Sequence, residues 1–152
     1  EKMLGGRVYL RADISSQFVS ALLMVAPLFK NGIEILLEGN VVSRPYIDMT
    51  LKIMERFGIL YISNDTVIKI PNQRYDVNNF NVEGDWSAAS YFYSLLCISP
   101  SLHEIKINGL FKDSIQGDMD IHHIMTRFGI QTLFKDILKR SASIITFLTD
   151  LL

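Results

Sequence analysis

The feature that most constrains this sequence is an internal similarity between its two halves. Residues 20–27 align with residues 93–100 at an offset of 73 positions. Residues 53–59 align with residues 124–130 at an offset of 71 positions, and both segments end in Phe-Gly-Ile. Such a repeat predicts two tandem copies of one folding unit.

Each copy shows the same order of secondary-structure signals. An apolar helical run comes first, followed by an alternating strand at residues 33–37 or 104–107 and then by a second helix. Gly58 and Gly129 stand where the second helices end, and glycine readily adopts the left-handed backbone of a helix cap. In the first copy a strand precedes the first helix, and two strands joined by a turn at residues 64–65 follow the second. We predict an α/β (α+β) fold of two βαβαββ units.

Composition excludes several classes of partner. The formal net charge is −1, so no broad basic surface is available for nucleic acid or for an anionic membrane. The most apolar stretch, residues 18–29, has 12 residues and is shorter than the roughly 20 that cross a bilayer. No secretory signal is visible, and the single Cys97 lies in an apolar context that predicts a buried thiol without a disulfide. We expect a cytoplasmic protein.

Polar residues cluster at the starts of both helices in the first copy. Ser15, Ser16 and Gln17 precede the first helix, and Ser43 precedes the second, with an arginine beside it and Tyr46 in the first turn. Helix N-termini carry unpaired N–H groups and the positive end of the helix dipole, so they suit a phosphate. Serine is also a common N-cap, and ordinary capping stays open as an alternative. If the two helices pack side by side, these side chains converge on one anion.

The second copy does not keep this polar set. At the offsets above, Ala88 and Ala89 stand in place of the serine doublet and Gln116 replaces the proline after the arginine, although Ser114 matches Ser43. The repeat therefore predicts a shared scaffold, with the polar site confined to the first copy.

Patterns for catalysis or metal binding are not visible. His122 and His123 are neighbours on one helix, so they point in different directions and do not form the i, i+4 pair of a metal site. The sequence shows neither a glycine-rich phosphate loop nor a nucleophile with an identifiable base. We predict no metal and no catalytic residue in this chain.

Three consecutive blocks carry a family resemblance. They read Ser-Ser-Gln-Phe-Val-Ser-Ala-Leu-Leu-Met at residues 15–24, Ser-Arg-Pro-Tyr-Ile-Asp-Met-Thr-Leu at residues 43–51 and Val-Glu-Gly-Asp-Trp-Ser-Ala-Ala-Ser-Tyr-Phe at residues 82–92. Together with Ser-Ile-Gln-Gly-Asp at residues 114–118, they strongly resemble the 5-enolpyruvylshikimate-3-phosphate (EPSP) synthase family. Related enolpyruvyl transferases that act on UDP-N-acetylglucosamine share the fold but are not expected to show the first two blocks.

The resemblance implies a two-domain enzyme of the inverse β-prism type, with three βαβαββ units in each domain and substrates bound between the domains. Residues 1–83 would be the last unit of the first, shikimate-3-phosphate-binding domain, and residues 84–152 the incomplete first unit of the second. The implied reaction moves the enolpyruvyl group of phosphoenolpyruvate to the 5-hydroxyl of shikimate-3-phosphate. It belongs to the shikimate pathway of aromatic amino acid biosynthesis and needs no cofactor.

The resemblance also implies roles for individual residues. Ser15, Ser16 and Ser43 would hold the phosphate of shikimate-3-phosphate, Gln17 would lie between the two substrates, and Tyr46 would contact the shikimate ring. The family's catalytic acid, base and phosphoenolpyruvate-binding groups have no counterpart in this sequence. We therefore expect an internal fragment of such an enzyme, without synthase activity of its own.

Two other functions stay open. A noncatalytic interaction module would dock its apolar helix faces on a partner and use the serines as caps only, and a UDP-N-acetylglucosamine enolpyruvyl transferase would share the fold. The full-length enzyme is expected to be monomeric, whereas the isolated chain, with one unit per domain, is expected to expose apolar surface and self-associate. Residues 71–79 are the predicted linker between the copies, and no assignment is made after Gln131.

Overall fold

The computed structural model describes residues 3–13, 15–41, 43–76, 79–99, 101–137 and 140–147. The chain separates into two compact units, Glu1–Asn79 and Phe80–Leu152. Each unit combines helices with a small β-sheet, which confirms the predicted mixed α/β class. The division between the units falls slightly before the boundary expected at residues 83 and 84.

Unit one has the element order β-α-β-α-β-β. Its elements are β1 (Gly6–Arg11), α1 (Ser16–Val25) with a 3-10 turn at Ala26–Leu28, β2 (Ile33–Glu38), α2 (Arg44–Arg56), β3 (Ile62–Ser63) and β4 (Val67–Ile70). The sheet order is β1-β2-β4-β3, in which β1 and β2 are parallel and the other pairs are antiparallel. The turn between β3 and β4 is closed by the Asn64 side chain, which accepts hydrogen bonds from the backbone N–H groups of Thr66 and Val67.

The core of unit one lies between the two helices and one face of the sheet. Strand β2 alternates, so that Ile33, Ile35 and Leu37 are buried on the same face. Helix α1 buries Val19 and Leu23, and α2 buries three residues at helical spacing, namely Ile47, Leu51 and Met54. This burial holds α1 and α2 side by side against the sheet and brings their N-termini to the same end of the unit.

The polar segment predicted as a linker is largely attached to unit one. The Asn72 side chain donates to the carbonyl oxygens of Pro27 and Phe29, and the Tyr75 hydroxyl donates to the carbonyl of Met24. These acceptors follow or end α1, where helical carbonyls lack intrahelical partners. The prediction of a linker is therefore wrong for this part of the segment, because its polar side chains donate hydrogen bonds to the carbonyl groups at the end of α1. Residues 77 and 78 lie outside the described residues.

The described residues of unit two form two α-helices and a three-stranded sheet. Its elements are α3 (Trp86–Ile98), β5 (Glu104–Asn108), a 3-10 turn at Gly117–Asp120, α4 (Ile121–Thr126), β6 (Ile130–Ile137) and β7 (Arg140–Phe147). The sheet order is β5-β7-β6, and both pairs are antiparallel. The stretch after Gln131, which the sequence left unassigned, thus continues β6 and forms β7; residues 138–139 and 148–152 lie outside the described residues.

Two predictions about individual residues in the helices had opposite outcomes. Gly58 and Gly129 have φ angles of 82° and 77°, which confirms the left-handed backbone predicted for the ends of the second helices. Cys97 was predicted to be buried, and this is wrong because its side chain is exposed. Helix α3 buries the face that carries Trp86, Ala89, Tyr93 and Leu96, and residue 97 points away from that face. No helix among the described residues is long and apolar enough to cross a membrane.

The caps of the first helices correct the sequence alignment of the two units. Ser15 caps α1 and Asp85 caps α3, 70 positions apart rather than 73. Burial follows the same register, because the buried Val19 and Leu23 of α1 correspond to the buried Ala89 and Tyr93 of α3. The residues equivalent to Ser15 and Ser16 are therefore Asp85 and Trp86, and not Ala88 and Ala89. Pro100, on which the offset of 73 relied, lies outside the described residues.

Candidate functional site

A pocket of about 540 Å³ opens at the N-terminal ends of α1 and α2. Its lining consists of Ser15, Ser16, Gln17, Ser20, Ser43, Tyr46, Met49 and Thr50. All five residues that the sequence singled out as substrate ligands are in this set. The structure brings them together in one place, and their role as ligands stays a prediction.

Ser15 caps α1 in a way that leaves its hydroxyl proton available. Its backbone is extended, and its Oγ accepts a hydrogen bond of 3.2 Å from the backbone N–H of Gln17. A serine hydroxyl has one proton to donate in addition to its acceptor lone pairs. Capping and binding an anion in the pocket are therefore compatible roles for the same side chain.

The hydroxyl groups of Ser16 and Ser43, unlike that of Ser15, do not cap a helix. Ser43 immediately precedes α2 but makes no side-chain capping hydrogen bond, and Pro45 in the first turn favours helix initiation without one. Among the hydrogen bonds of the described residues, none involves the hydroxyl of Ser16 or of Ser43. Both hydroxyls line the pocket, and both can turn a donor toward a bound group.

Arg44 does not supply the cation that the sequence placed beside Ser43. Its guanidinium donates to the carboxylate of Asp48 at 2.7 Å, to the Ser63 hydroxyl at 3.1 Å and to the carbonyl of Asn64 at 2.8 Å. These bonds tie the start of α2 to the turn between β3 and β4. The residues that line the pocket carry no charged side chain, so an anion bound there would be held by hydroxyls and helix N-termini rather than by an ion pair.

Sequence reasoning missed three further residues that line the pocket. Ser20 and Thr50 are joined by a hydrogen bond of 3.1 Å between Thr50 Oγ1 and Ser20 Oγ, and Met49 lies beside them in the lining. A signal was present, because Ser20 follows Ser16 by four residues and Thr50 follows Tyr46 by four. Residues four apart lie on the same helix face, so the stripe on each helix was predictable once the first residue had been chosen.

The equivalent region of unit two is filled by its own side chains. Gln116 uses both ends of its amide there, because its Nε2 donates to the carbonyl of Gly84 at 2.8 Å and its Oε1 accepts from the N–H of Trp86 at 2.9 Å. The Ser87 hydroxyl donates to the carboxylate of Asp118 at 2.6 Å. The side chain of Trp86 is fully buried. The backbone N–H of Trp86, the amide of Gln116 and the hydroxyl of Ser87 are therefore already engaged within the protein.

The described residues contain no group of three or more His, Cys, Asp or Glu side chains placed to hold a metal ion. The side chains of His122 and His123 were predicted to point in different directions, and this is wrong because their ring centroids are 3.8 Å apart. His122 Nδ1 is 2.6 Å from the carbonyl oxygen of Met119. The His122 ring also stacks at a tilt near Trp86. These contacts give His122 a packing role in unit two.

The chain matches a family model described as EPSP synthase (3-phosphoshikimate 1-carboxyvinyltransferase) over residues 1–145. It is 40% identical over 136 residues to a 3-phosphoshikimate 1-carboxyvinyltransferase of Bacteroides fragilis, a match that covers 89% of this chain and 33% of the relative. The corresponding protein of Shewanella pealeana is 41% identical over 145 residues, covering 92% of this chain and 34% of the relative. The 3-phosphoshikimate 1-carboxyvinyltransferase of Methanothermobacter thermautotrophicus is 38% identical over 127 residues, a match that covers 84% of this chain and 30% of the relative.

These matches show that the chain belongs to the EPSP synthase family. The chain spans about one third of the length of the curated relatives that it matches.

Proposed function

We propose that this chain supplies the shikimate-3-phosphate pocket of a 3-phosphoshikimate 1-carboxyvinyltransferase. That enzyme would move the enolpyruvyl group of phosphoenolpyruvate to the 5-hydroxyl of shikimate-3-phosphate, in the shikimate pathway. One observation carries the proposal: residues from two different helix starts, chosen from the sequence, line a single pocket. The relatives described above all bear this enzyme's name, which favours it over the UDP-N-acetylglucosamine alternative.

The phosphate of the substrate would bind between the N-termini of α1 and α2. Ser15, Ser16 and Ser43 donate hydroxyl protons to it there, and a hydrogen bond to a charged group contributes roughly 1.5–3 kcal/mol. The positive ends of two helix dipoles add to these bonds. Tyr46 would lie against the shikimate ring, and Gln17 would face the second substrate, phosphoenolpyruvate.

The wider architecture is also part of the proposal. Unit one would be the last βαβαββ unit of a first inverse β-prism domain, and unit two the incomplete first unit of a second. Family membership and the β-α-β-α-β-β order of unit one support this arrangement. A cytoplasmic location and a monomeric full-length enzyme accompany it as predictions.

By itself the 152-residue chain is expected to be inactive. Enolpyruvyl transfer needs proton donors and acceptors at the reacting carbons, and the described pocket is lined by hydroxyl, amide and apolar side chains. A coupled assay for phosphate release from phosphoenolpyruvate and shikimate-3-phosphate tests this. Turnover by the purified chain, free of contaminating synthase, would contradict it.

Exposed apolar side chains on the first helices favour a second property, association with further protein. Phe18 on α1 is 69% exposed, and Tyr91 and Ile98 on α3 are 73% and 74% exposed. We propose that sister units of the full enzyme cover these faces and that the isolated chain self-associates through them. Light scattering at several concentrations measures this, and a strictly monomeric chain would count against it.

The binding proposal is tested by titrating the isotopically labelled chain with shikimate-3-phosphate and recording amide NMR spectra. Shifts should cluster at residues 15–17 and 43–46, while the amides of residues 85–87, at the filled helix start of unit two, serve as an internal control. Shikimate without the phosphate is the matched ligand and should bind far more weakly. Shifts that are absent, or that spread evenly over both units, would refute a phosphate site at these helix starts.

A further inference from the structure

A hydroxyl pair in the pocket wall connects the two helices that form the site. Thr50 Oγ1 on α2 lies 3.1 Å from Ser20 Oγ on α1 and 2.9 Å from the carbonyl oxygen of Tyr46. Tyr46 belongs to the first turn of α2, next to Ser43. The contacts therefore form a continuous path from α1 through Thr50 to the backbone of the turn that carries the proposed phosphate ligands.

Thr50 Oγ1 is the donor common to both hydrogen bonds. It has one hydroxyl proton and two acceptors within reach, the Ser20 hydroxyl oxygen and the Tyr46 carbonyl oxygen, so the two acceptors share that proton. Such back-bonding from threonine to the carbonyl four residues earlier bends a helix slightly at that turn. The hydrogen bond to Ser20 restrains the Thr50 side chain from the neighbouring helix.

Apolar packing alone leaves the helix starts less well defined. Below the pair, Val19 and Leu23 of α1 pack in one cluster with Ile47 and Leu51 of α2. Hydrophobic burial is non-directional, so these contacts tolerate small sliding and rotation of one helix against the other. A hydrogen bond between the helices restricts both movements.

We propose that Ser20 and Thr50 are positioning residues, which set the separation between the serines of α1 and Ser43 of α2 and so determine how tightly the site holds a phosphate group. This inference rests on the proposed function. The pair acts through the geometry of the helix starts, so it affects inorganic phosphate and the phosphate ester alike.

Binding of inorganic phosphate and of shikimate-3-phosphate to four variants tests the proposal, with amide NMR titration as the measurement. Thr50→Val and Ser20→Ala should each weaken both ligands by about tenfold, the effect of losing one hydrogen bond. Thr50→Ser keeps the hydroxyl and should restore affinity to within about twofold. In the double variant Ser20→Ala/Thr50→Val the losses should not add, because both changes break the same link.

Thr126→Val is the matched control. Thr126 Oγ1 donates to the carbonyl of His122 at 2.9 Å, the same back-bond as in Thr50, but on α4 of unit two. Affinity should not change in this variant. An equal loss in Thr126→Val, or additive losses in the double variant, would overturn the proposal.

Two further outcomes separate the possible failures. A loss of affinity for shikimate-3-phosphate alone would overturn the positioning role, since it would mean that Ser20 and Thr50 contact the shikimate ring directly. If Thr50→Val does not fold, Ser20→Ala decides, and unchanged affinity in that variant overturns the proposal. If the chain without substitutions binds neither ligand, both the proposed function and this inference fail. If that chain binds and the variants bind with the same affinity, only this inference fails.

Discussion

The first helices of the two units, α1 and α3, both begin at a side chain that caps the helix, but the start of α1 borders an open pocket and the start of α3 is covered by other side chains. Ser15 caps α1 and Asp85 caps α3, each accepting from the backbone N–H two residues later. In unit one the next positions leave a pocket lined by hydroxyls. In unit two Trp86 is fully buried and the amide of Gln116 covers the helix start.

The difference shows that a capped helix start is not by itself a binding site. In unit two the Trp86 backbone N–H donates to Gln116 and the Ser87 hydroxyl donates to the carboxylate of Asp118, so these donors are already engaged within the protein. In unit one the residue in the place of Trp86 is Ser16, whose small side chain neither fills the space nor bonds to the protein among the described residues. Side-chain volume and the presence of an internal acceptor distinguish the open site from the filled one.

The largest expected effect comes from removing the side chain that fills unit two. Trp86→Ala should destabilise unit two by ~3–5 kcal/mol, because a fully buried aromatic ring is lost. Hydrogen exchange of the α3 amides measures this, with the amides of unit one as internal control. Tryptophan fluorescence cannot follow it, since Trp86 is the only tryptophan of the chain.

Trp86→Phe is the conservative partner of that variant. The Trp86 Nε1 is buried without a hydrogen-bond partner among the described residues, so phenylalanine loses volume but also removes an unpaired donor. Its cost should stay below ~1.5 kcal/mol. A cost under ~1 kcal/mol for Trp86→Ala would mean that the ring is not part of a packed core.

Replacing the serine cap of α1 with the aspartate cap found in unit two should abolish phosphate binding and leave α1 folded. In Ser15→Asp the carboxylate still caps α1, as Asp85 caps α3, but it repels a phosphate. Two unit charges about 4 Å apart interact by ~4 kcal/mol near a protein surface, so affinity for shikimate-3-phosphate should fall by ~100-fold or more. The reciprocal Asp85→Ser should leave affinity unchanged. Retained affinity in Ser15→Asp would place the phosphate elsewhere.

A smaller effect separates binding from capping. Ser43→Ala should lower affinity for shikimate-3-phosphate by about tenfold, while stability changes by less than ~0.5 kcal/mol, because Ser43 makes no capping hydrogen bond. Ser15→Ala should lower both, since it also removes a cap that contributes ~1 kcal/mol. Calorimetric titration and thermal melting give the two quantities.

Ser114→Ala is the matched control for Ser43→Ala. The Ser114 hydroxyl accepts from the backbone N–H of Gln116 at 3.0 Å in unit two, and its loss should leave ligand affinity unchanged. If both alanine variants lose affinity equally, the open and the filled helix starts do not differ in the way described.

The smallest expected effect concerns the sheets. The Lys69 ammonium and the Arg7 guanidinium both bond the carboxylate of Glu34, and they hold the pKa of Glu34 below its usual value of 4.5. A lowered pKa in the folded chain means that the pairing stabilises unit one above about pH 4.5 and that this contribution is lost as the pH falls through the folded pKa.

Glu34→Gln should therefore melt slightly below the unchanged chain at pH 7 and equal it in strong acid. In unit two Ile105 of β5 packs against the core, so the alternating strand places its neighbour Glu104 on the outer face, where Glu104 forms an ion pair with Lys106 at 3.3 Å. Thermal melts across pH 2–7, recorded on both chains, test this. Parallel curves for the two chains at all pH values would contradict it.

Local sequence signals were reliable where one element determines the outcome. The α/β class, the glycines with positive φ and the start of both helices in unit one followed from periodicity and from capping residues. Cys97 was misjudged because an apolar neighbourhood along the chain does not say which helix face a residue occupies. The partners of Arg44 were not visible in the local sequence for a similar reason: Ser63 and Asn64 lie about twenty residues further on.

The sequence by itself determined that two helix starts in the first unit are rich in hydroxyls and that the chain resembles one family of enzymes. Tertiary structure alone decided that the two starts meet, that Ser20 and Thr50 join them, and that the counterpart in unit two is closed. The physical reason is that caps and periodicity act within a few residues, whereas a pocket depends on side chains from separate elements, and on whether each donor finds its acceptor inside the protein or leaves it for a ligand.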